Sequence, residues 1–479
     1  MTAAVEIPVW LLLLIGLLAG FSLVGHFLVP GARWFLRRRV NRVIDEVNTR
    51  LSLELPSFKL TRRQVLIDRL SFDPKILAEV EREARERGLP REALMAEVAT
   101  YAREIVPAFN AYVYFRFGYR LARAIAKFLY RVRLGSADDE ALAGIGPESS
   151  VVFVMNHRSN MDYVLVSYLA ADRTSLSYAV GEWARVWPLQ QLIRALGAYF
   201  VRRNSKNPLY RRVLERFVQM STEAGVPQAV YPEGGLSRDG RPKAPKLGLL
   251  DYMTRDFDPT GARDIVFLPV GLNYDRVLED RSLTLSLESD RPRRSAGFAL
   301  RTTIAFLGHN FALMARRRWY RFGYACVNFG TPISFKDWIG RRVPEAAALN
   351  RAATWPALIQ ALGDDLMAAI CQVVPVLPVS LIATLLRQAG PEGLSELALK
   401  ARAHGLIEQI RSAGGHVYIP RADADYAIAV GLRMMVLRHL AQRGEDGLYR
   451  VPAGEAALVD YYANSIAHLI PDRRRAAAE

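Results

Sequence analysis

The chain has 479 residues, 51% of them apolar, and its 64 basic and 48 acidic side chains leave a net charge of +16. That length allows about two or three domains with a sizeable core, and the charge favours a polyanionic partner such as nucleic acid, anionic lipid or a phosphorylated small molecule. Two cysteines, Cys326 and Cys371, exclude a disulfide framework and a cysteine metal cluster, and they fit a reducing compartment.

The first element is the run IPVWLLLLIGLLAGFSLVGHFLV, Ile7 to Val29, which holds no Asp, Glu, Lys or Arg. A helix needs about 20 residues to cross the hydrocarbon core, so residues 1–30 are expected to form an N-terminal transmembrane helix. A signal peptide would want a basic leading flank and a shorter run. Here Glu6 precedes the run, and Arg33, Arg37, Arg38, Arg39 and Arg42 follow it. Basic flanks stay on the cytoplasmic side, so the chain after Pro30 is expected in the cytoplasm.

Residues 31–145 read as a basic helical region, broken at Asp73-Pro74 and Gly88-Leu89-Pro90. Its last part, Phe109 to Leu134, mixes aromatics with regularly spaced Arg and Lys. Such a helix suits an anionic membrane surface, or packs its apolar face on the next domain.

The pattern changes over 146–335. Short apolar runs alternate with helical patterns: VVFVMN (151–156), AYFVRR (198–203), QAVY (228–231), IVFLPVGL (265–272) and YACVNFG (324–330). Near-continuous apolar strands belong to sheets buried on both faces. The expected fold class is therefore α/β, with a layered, mostly parallel sheet flanked by helices. Within this stretch, Gly297 to Gly323 reads as an interfacial or a buried helix. Residues 336–479 form a helical C-terminal region, interrupted at 375–380 and 414–420, that covers the core.

Ligands in open α/β sheets sit beyond the strand C-terminal ends. That rule gathers Asn156-His157, Arg202-Arg203 and Pro232-Glu233-Gly234 at one cleft. In NHRSNMD (156–162), His157 is a candidate general base, and Asp162, five residues on, can orient the imidazole and stabilise its cation. No Gly-x-Ser-x-Gly elbow is present, so a serine nucleophile is not indicated, and Ser159 is expected to form or cap the turn. A His–Asp pair without a protein nucleophile suits activation of a substrate hydroxyl. The segment YPEGGLSRDGRPKAPKLGLL (231–250) adds Ser237, Arg238, Arg241, Lys243 and Lys246; taken alone it reads as a solvated basic loop, or its Arg and Lys side chains bind phosphate, with Gly234 allowing close backbone approach.

Four segments in order resemble the blocks of the glycerolipid acyltransferase superfamily: NHRSNMD, GAYFVRR (197–203), YPEGGLSR (231–238) and FLPVGLNYDRV (267–277). The wording of the blocks resembles the glycerol-3-phosphate acyltransferase branch, and PVSLIATLL (378–386) and YYANSIAHL (461–469) are similar to the C-terminal region of the longer bacterial membrane enzymes. Leu236 stands where that family usually has Arg. The resemblance implies a glycerolipid acyltransferase fold and acyl transfer from acyl-CoA or acyl carrier protein to the sn-1 hydroxyl of glycerol 3-phosphate; the alternatives are 1-acyl-glycerol 3-phosphate or dihydroxyacetone phosphate as acceptor and, from another class, a non-catalytic basic membrane-bound binding protein. It implies His157 and Asp162 as catalytic residues, with Arg202, Arg203, Glu233, Gly234, Ser237, Arg238, Lys246 and Pro269 about the substrate. It also implies no metal or bound cofactor, a phospholipid membrane as partner, and a place on the cytoplasmic face of the bacterial inner membrane. Nucleic acid is not expected as a partner, since no recognition module for it is seen.

Overall fold

The computed structural model describes residues 57–111, 113–170, 176–181, 189–202, 205–288, 322–343 and 351–470. Among them eight strands form one sheet: β1 (Arg131–Leu134), β2 (Ser150–Met155), β3 (Ser177–Gly181), β4 (Tyr199–Val201), β5 (Gln228–Val230), β6 (Ile265–Tyr274), β7 (Tyr324–Phe329) and β8 (Ile333–Ser334). The order is β1-β7-β6-β2-β5-β3-β4, and β8 pairs with the start of β6. The block β6-β2-β5-β3-β4 is parallel, while β7 and β8 run antiparallel to β6. Every position of β2 and β6 is buried, as their continuous apolar runs require.

Side chains alternate across a strand, so β2 feeds two cores. Val152 and Val154 face one layer. It is built from α1 (Pro74–Arg87), α2 (Arg91–Ile105) and part of the later helices. Val151, Phe153 and Met155 face the other, which includes α3 (Tyr119–Leu129) and α4 (Met161–Ala170). Further along, α5 (Pro208–Glu223) packs on the first face, α6 (Asp280–Glu288) follows β6, and α7 (Arg351–Gln372) returns to the first face. Helices α8 (Pro378–Ala389), α9 (Ala424–Leu437) and α10 (Ala456–Asn464) close the second.

Local signals account for several boundaries. Asp73 caps α1 by accepting from the Lys75 N–H, Pro74 opens the helix, and Gly88 closes it at φ 61°. The C-terminal region does not cover one side only. It changes faces at 373–377, where the chain presses on β6: a Cβ on Gly271 would lie 2.3 Å from the Val373 carbonyl oxygen. The Asn328 and Asn273 amides donate to the Val373 and Pro375 carbonyls, each at 2.9 Å. The two interruptions of the helical pattern meet there, Val376 bridging to Val417.

Three strands of this sheet, β1, β3 and β8, are not among the runs expected from the sequence. The expected basic helix over Phe109–Leu134 ends at Leu129, and its tail RVRL instead pairs in parallel with β7. Hydrogen bonds to a strand so distant in the chain outweigh the helical pattern of the tail. The segment 297–321 lies outside the described residues.

The transmembrane part of the expected fold is corrected. Among the described residues no helix is long and apolar enough to cross a membrane. The most fully buried of them, α8, has 12 residues, too few at 1.5 Å each for a hydrocarbon core of about 30 Å. Among the described residues the architecture is thus α/β without a spanning helix, and the expected single-span inner-membrane placement is corrected to that extent. The run 7–29 itself lies outside the described residues.

Candidate active site

The loop leaving β2 is fixed from both sides before it reaches its histidine. The Asn156 amide mimics a backbone unit: it donates to the Leu272 carbonyl at 2.9 Å and accepts from the Leu272 N–H at 2.8 Å. The His157 N–H donates to Glu233 at 3.1 Å, and the His157 carbonyl accepts from the Ser237 N–H at 3.0 Å. Ser159 caps the following helix, its hydroxyl accepting from the Met161 N–H at 3.1 Å. Asp162 therefore sits in the first turn of α4, where the helix dipole favours a carboxylate.

His157 Nδ1 lies 2.9 Å from Asp162 Oδ2. The same oxygen accepts the Arg158 and Ser159 N–H groups at 2.8 and 3.0 Å. The Tyr274 hydroxyl donates to the other oxygen at 2.6 Å. Asp162 is fully buried and His157 is 3% exposed. Tyr231 stacks on the imidazole at 4.0 Å, and Tyr163 meets it edge-on. With Nδ1 committed to Asp162, Nε2 is the nitrogen left for a substrate. Such a pair can take a proton from a hydroxyl and hold the resulting charge.

His157 lines a cavity of about 390 Å³ together with Arg202, Arg211, Pro232, Gly234 and Lys246. The ends of β2, β4 and β5 thus converge as the strand-end rule expects. Gly234, at φ 68°, has to be glycine: a Cβ there would sit 2.4 Å from Lys246 Cδ. That clearance lets the lysine cross the loop to the cavity, anchored by its N–H on the Pro232 carbonyl at 2.7 Å.

Other predicted residues lie differently. Glu233 turns away from the cavity to hold the His157 N–H. Burial pushes its carboxyl from an ordinary 4.5 up to about 7, and its second oxygen has no hydrogen-bond partner among the described residues. Ser237 is buried, its hydroxyl donating to the Arg241 carbonyl at 2.8 Å. Arg238 is exposed and does not line the cavity. Arg202 does line it, yet it is gripped bidentately by Glu104 at 2.9 and 2.6 Å. Pro269 stands within β6 opposite Val154. Leu236 contributes its carbonyl to the Lys243 ammonium at 2.9 Å. Arg203 falls outside the described residues.

Three contributors escaped the sequence reading. Arg211, in the first turn of α5, reaches the cavity from a helix that begins ten residues after β4 was expected to open. Tyr274 ends β6 within a quoted block, but nothing local marks its partner. Glu279 is half-buried and accepts from the Ser159 hydroxyl at 2.8 Å and the Asn160 N–H at 3.2 Å; desolvation raises its carboxyl above the ordinary range. Its neighbour Asp280 pairs with Arg438, which caps the C-terminal end of α9, and accepts from Tyr462 of α10. The C-terminal helices thereby brace the turn that carries His157. Tyr461 adds a ring under the Arg158 guanidinium, 4.5 Å from its centroid.

A second cavity of about 260 Å³ adjoins the first, with Tyr163 and Val180 lining both. Its other walls are largely apolar and include Leu121, Ile125, Val164, Ile193 and Leu196.

Known proteins match this chain in two blocks. A family model named Acyltransferase matches residues 138–273, and one for the glycerol-3-phosphate acyltransferase C-terminal region matches 310–473. A glycerol-3-phosphate acyltransferase of Pseudomonas putida is 28% identical over 425 residues, 86% of this chain and 49% of that protein. Another, of Pseudoalteromonas atlantica, is 26% identical over 460 residues, 93% of this chain and 53% of that one. The chain thus spans about half the length of the curated relatives it matches. The crystal structure of a 1-acyl-sn-glycerophosphate acyltransferase from Thermotoga maritima aligns with 64% of this chain and 96% of that one at 14% identity. The TM-score is 0.31. One model thus matches the sheet that carries the His157 cavity and the other the helices that brace it, and in both blocks the chain is similar to acyltransferases, glycerol-3-phosphate acyltransferases among them.

Proposed function

We propose that this chain transfers an acyl group from a thioester to the sn-1 hydroxyl of glycerol 3-phosphate. One observation carries the reading: the buried His157–Asp162 pair opens into a cavity that Arg202, Arg211 and Lys246 also line. A base beside a cluster of cations suits a substrate that joins a hydroxyl to a phosphate.

His157 Nε2 takes the proton of the hydroxyl as its oxygen attacks the thioester carbonyl. Asp162 stabilises the imidazolium so formed. The carbon–sulfur bond breaks, and the departing sulfur takes the proton back from the imidazolium. The acylated product and a free thiol result, and His157 is neutral again. Lys246 and Arg211 hold the phosphate and so align the hydroxyl. Arg202, already neutralised by Glu104, shapes the wall. The apolar cavity beyond Tyr163 and Val180 receives the acyl chain of the donor, where burial of its methylenes contributes binding. Glu233 and Ser237 position the histidine turn.

The test supplies purified protein with a labelled acyl thioester, as acyl-CoA and as acyl carrier protein, and with glycerol 3-phosphate, lysophosphatidate or dihydroxyacetone phosphate. Acylation of glycerol 3-phosphate is expected, and a folded His157→Ala variant should lose it. Product with none of the acceptors, or a His157→Ala enzyme turning over near the normal rate, overturns the proposal.

A further inference from the structure

We infer that Tyr274 is a positioning residue for the catalytic pair, its phenol locking the face of Asp162 that the histidine does not touch. The inference rests on the acyl-transfer reading above only for its kinetic consequence; the contact itself stands on geometry.

An ionised carboxylate has about four lone-pair sites. Asp162 accepts from four donors, shared unevenly between its oxygens: the His157 ring, the Arg158 and Ser159 backbone N–H groups, and the Tyr274 hydroxyl. Three of these share Oδ2, and among them only the ring is mobile. The fourth stands alone on Oδ1, so Tyr274 decides whether the carboxylate can rotate about its Cβ–Cγ bond. If it were lost, Oδ1 would be a buried anionic oxygen without a donor. The carboxylate would then turn to recover one, at the expense of its bond to the ring.

Tyr274 suits this task. It is fully buried at the end of the central strand, and its ring packs against Tyr130 at 5.3 Å. Tyr130 is itself held by its hydroxyl on the Arg276 carbonyl at 2.8 Å. Burial, with Asp162 beside it, pushes the Tyr274 phenol well above its usual range. It stays a donor at any working pH. Strand β6 is therefore more than a central strand: its last side chain reaches under β2's loop and fixes the geometry there.

Tyr274→Phe keeps the ring and removes only the hydroxyl. A hydrogen bond to a charged group carries a factor of about ten or more, so kcat should fall about tenfold, with the KM of each substrate held within about twofold. In an Asp162→Ala background, which leaves the phenol no side chain to hold, the same change should cost nothing further, because Tyr274 acts through Asp162. A structural role in packing would lower both backgrounds alike, and that additivity would refute the inference.

A second readout needs no activity. The low-field proton resonance of the His157 Nδ1–H, identified by its absence in His157→Gln, should shift or broaden away in Tyr274→Phe. An unmoved resonance in a variant with wild-type melting overturns the inference. If instead the wild-type protein acylates no acceptor, the function proposal fails while the resonance still decides this one.

Discussion

Replacing Asp162 by asparagine isolates the charge of the pair from its shape. The new amide can keep its oxygen where Oδ2 now lies, still accepting from His157 Nδ1 and from the Arg158 and Ser159 N–H groups. Its NH₂ then faces Tyr274, whose hydroxyl can turn to accept. The fold and the imidazole tautomer are preserved, and the negative charge is gone. The Nδ1–Oδ2 distance of 2.9 Å places the two charge centres about 4 Å apart in the protonated intermediate. At an effective dielectric of about 20, opposite charges at that separation attract by ~4 kcal/mol. Since 1.36 kcal/mol is a decade of rate, kcat should fall by about a thousandfold. The assay is the initial rate of labelled acyl transfer to glycerol 3-phosphate, with circular dichroism melting to confirm the fold. A variant that melts like the wild type and keeps kcat within about tenfold would show that the reaction does not use the charge of Asp162.

Two further predictions come from the placement of charges. Lys246→Ala should raise the glycerol 3-phosphate KM about 10- to 100-fold, the worth of a charge-assisted hydrogen bond, while exposed Arg238, outside the cavity, should tolerate alanine with about a twofold change at most; steady-state kinetics with each substrate varied checks both. Glu233 titrates at about 7 when folded against an ordinary 4.5. Its raised value means that its contribution to stability is present below about 4.5 and lost as pH rises through about 7, by ~3 kcal/mol in all. Glu233→Gln keeps an oxygen for the His157 N–H and lacks that titration, so urea unfolding should show it gaining on the wild type between pH 5 and pH 8, and a constant difference across that range would contradict the assignment.

The legible parts of this protein are those with local causes. Strands β2, β5, β6 and β7 announce themselves as continuous apolar runs because both faces of a central strand are buried wherever helices cover the sheet. His157 and Asp162 are legible together because a strand end, a tight turn and a helix start lie within seven residues. Gly234 carries a signal too, since only glycine leaves room for Lys246. By contrast, RVRL at 131–134 looks like the tail of a basic helix until β7, folded from 324–329, offers it hydrogen bonds.

The site divides the same way. The amino-acid sequence by itself determined which residues could act as base, orienter and cation, since those are properties of side chains and short spacings. It could not say which cation is spent: Arg202 is held by Glu104, 98 residues earlier, and that pairing exists only once α2 lies against the end of β4. Nor could it say what steadies Asp162, because Tyr274 arrives from 112 residues away. Glu279 steadies the same turn, and Asp280 beside it ties that support to Arg438 and Tyr462 in the C-terminal helices. These are contacts between distant segments, made when helices close both faces of the sheet, and only the tertiary structure could decide them.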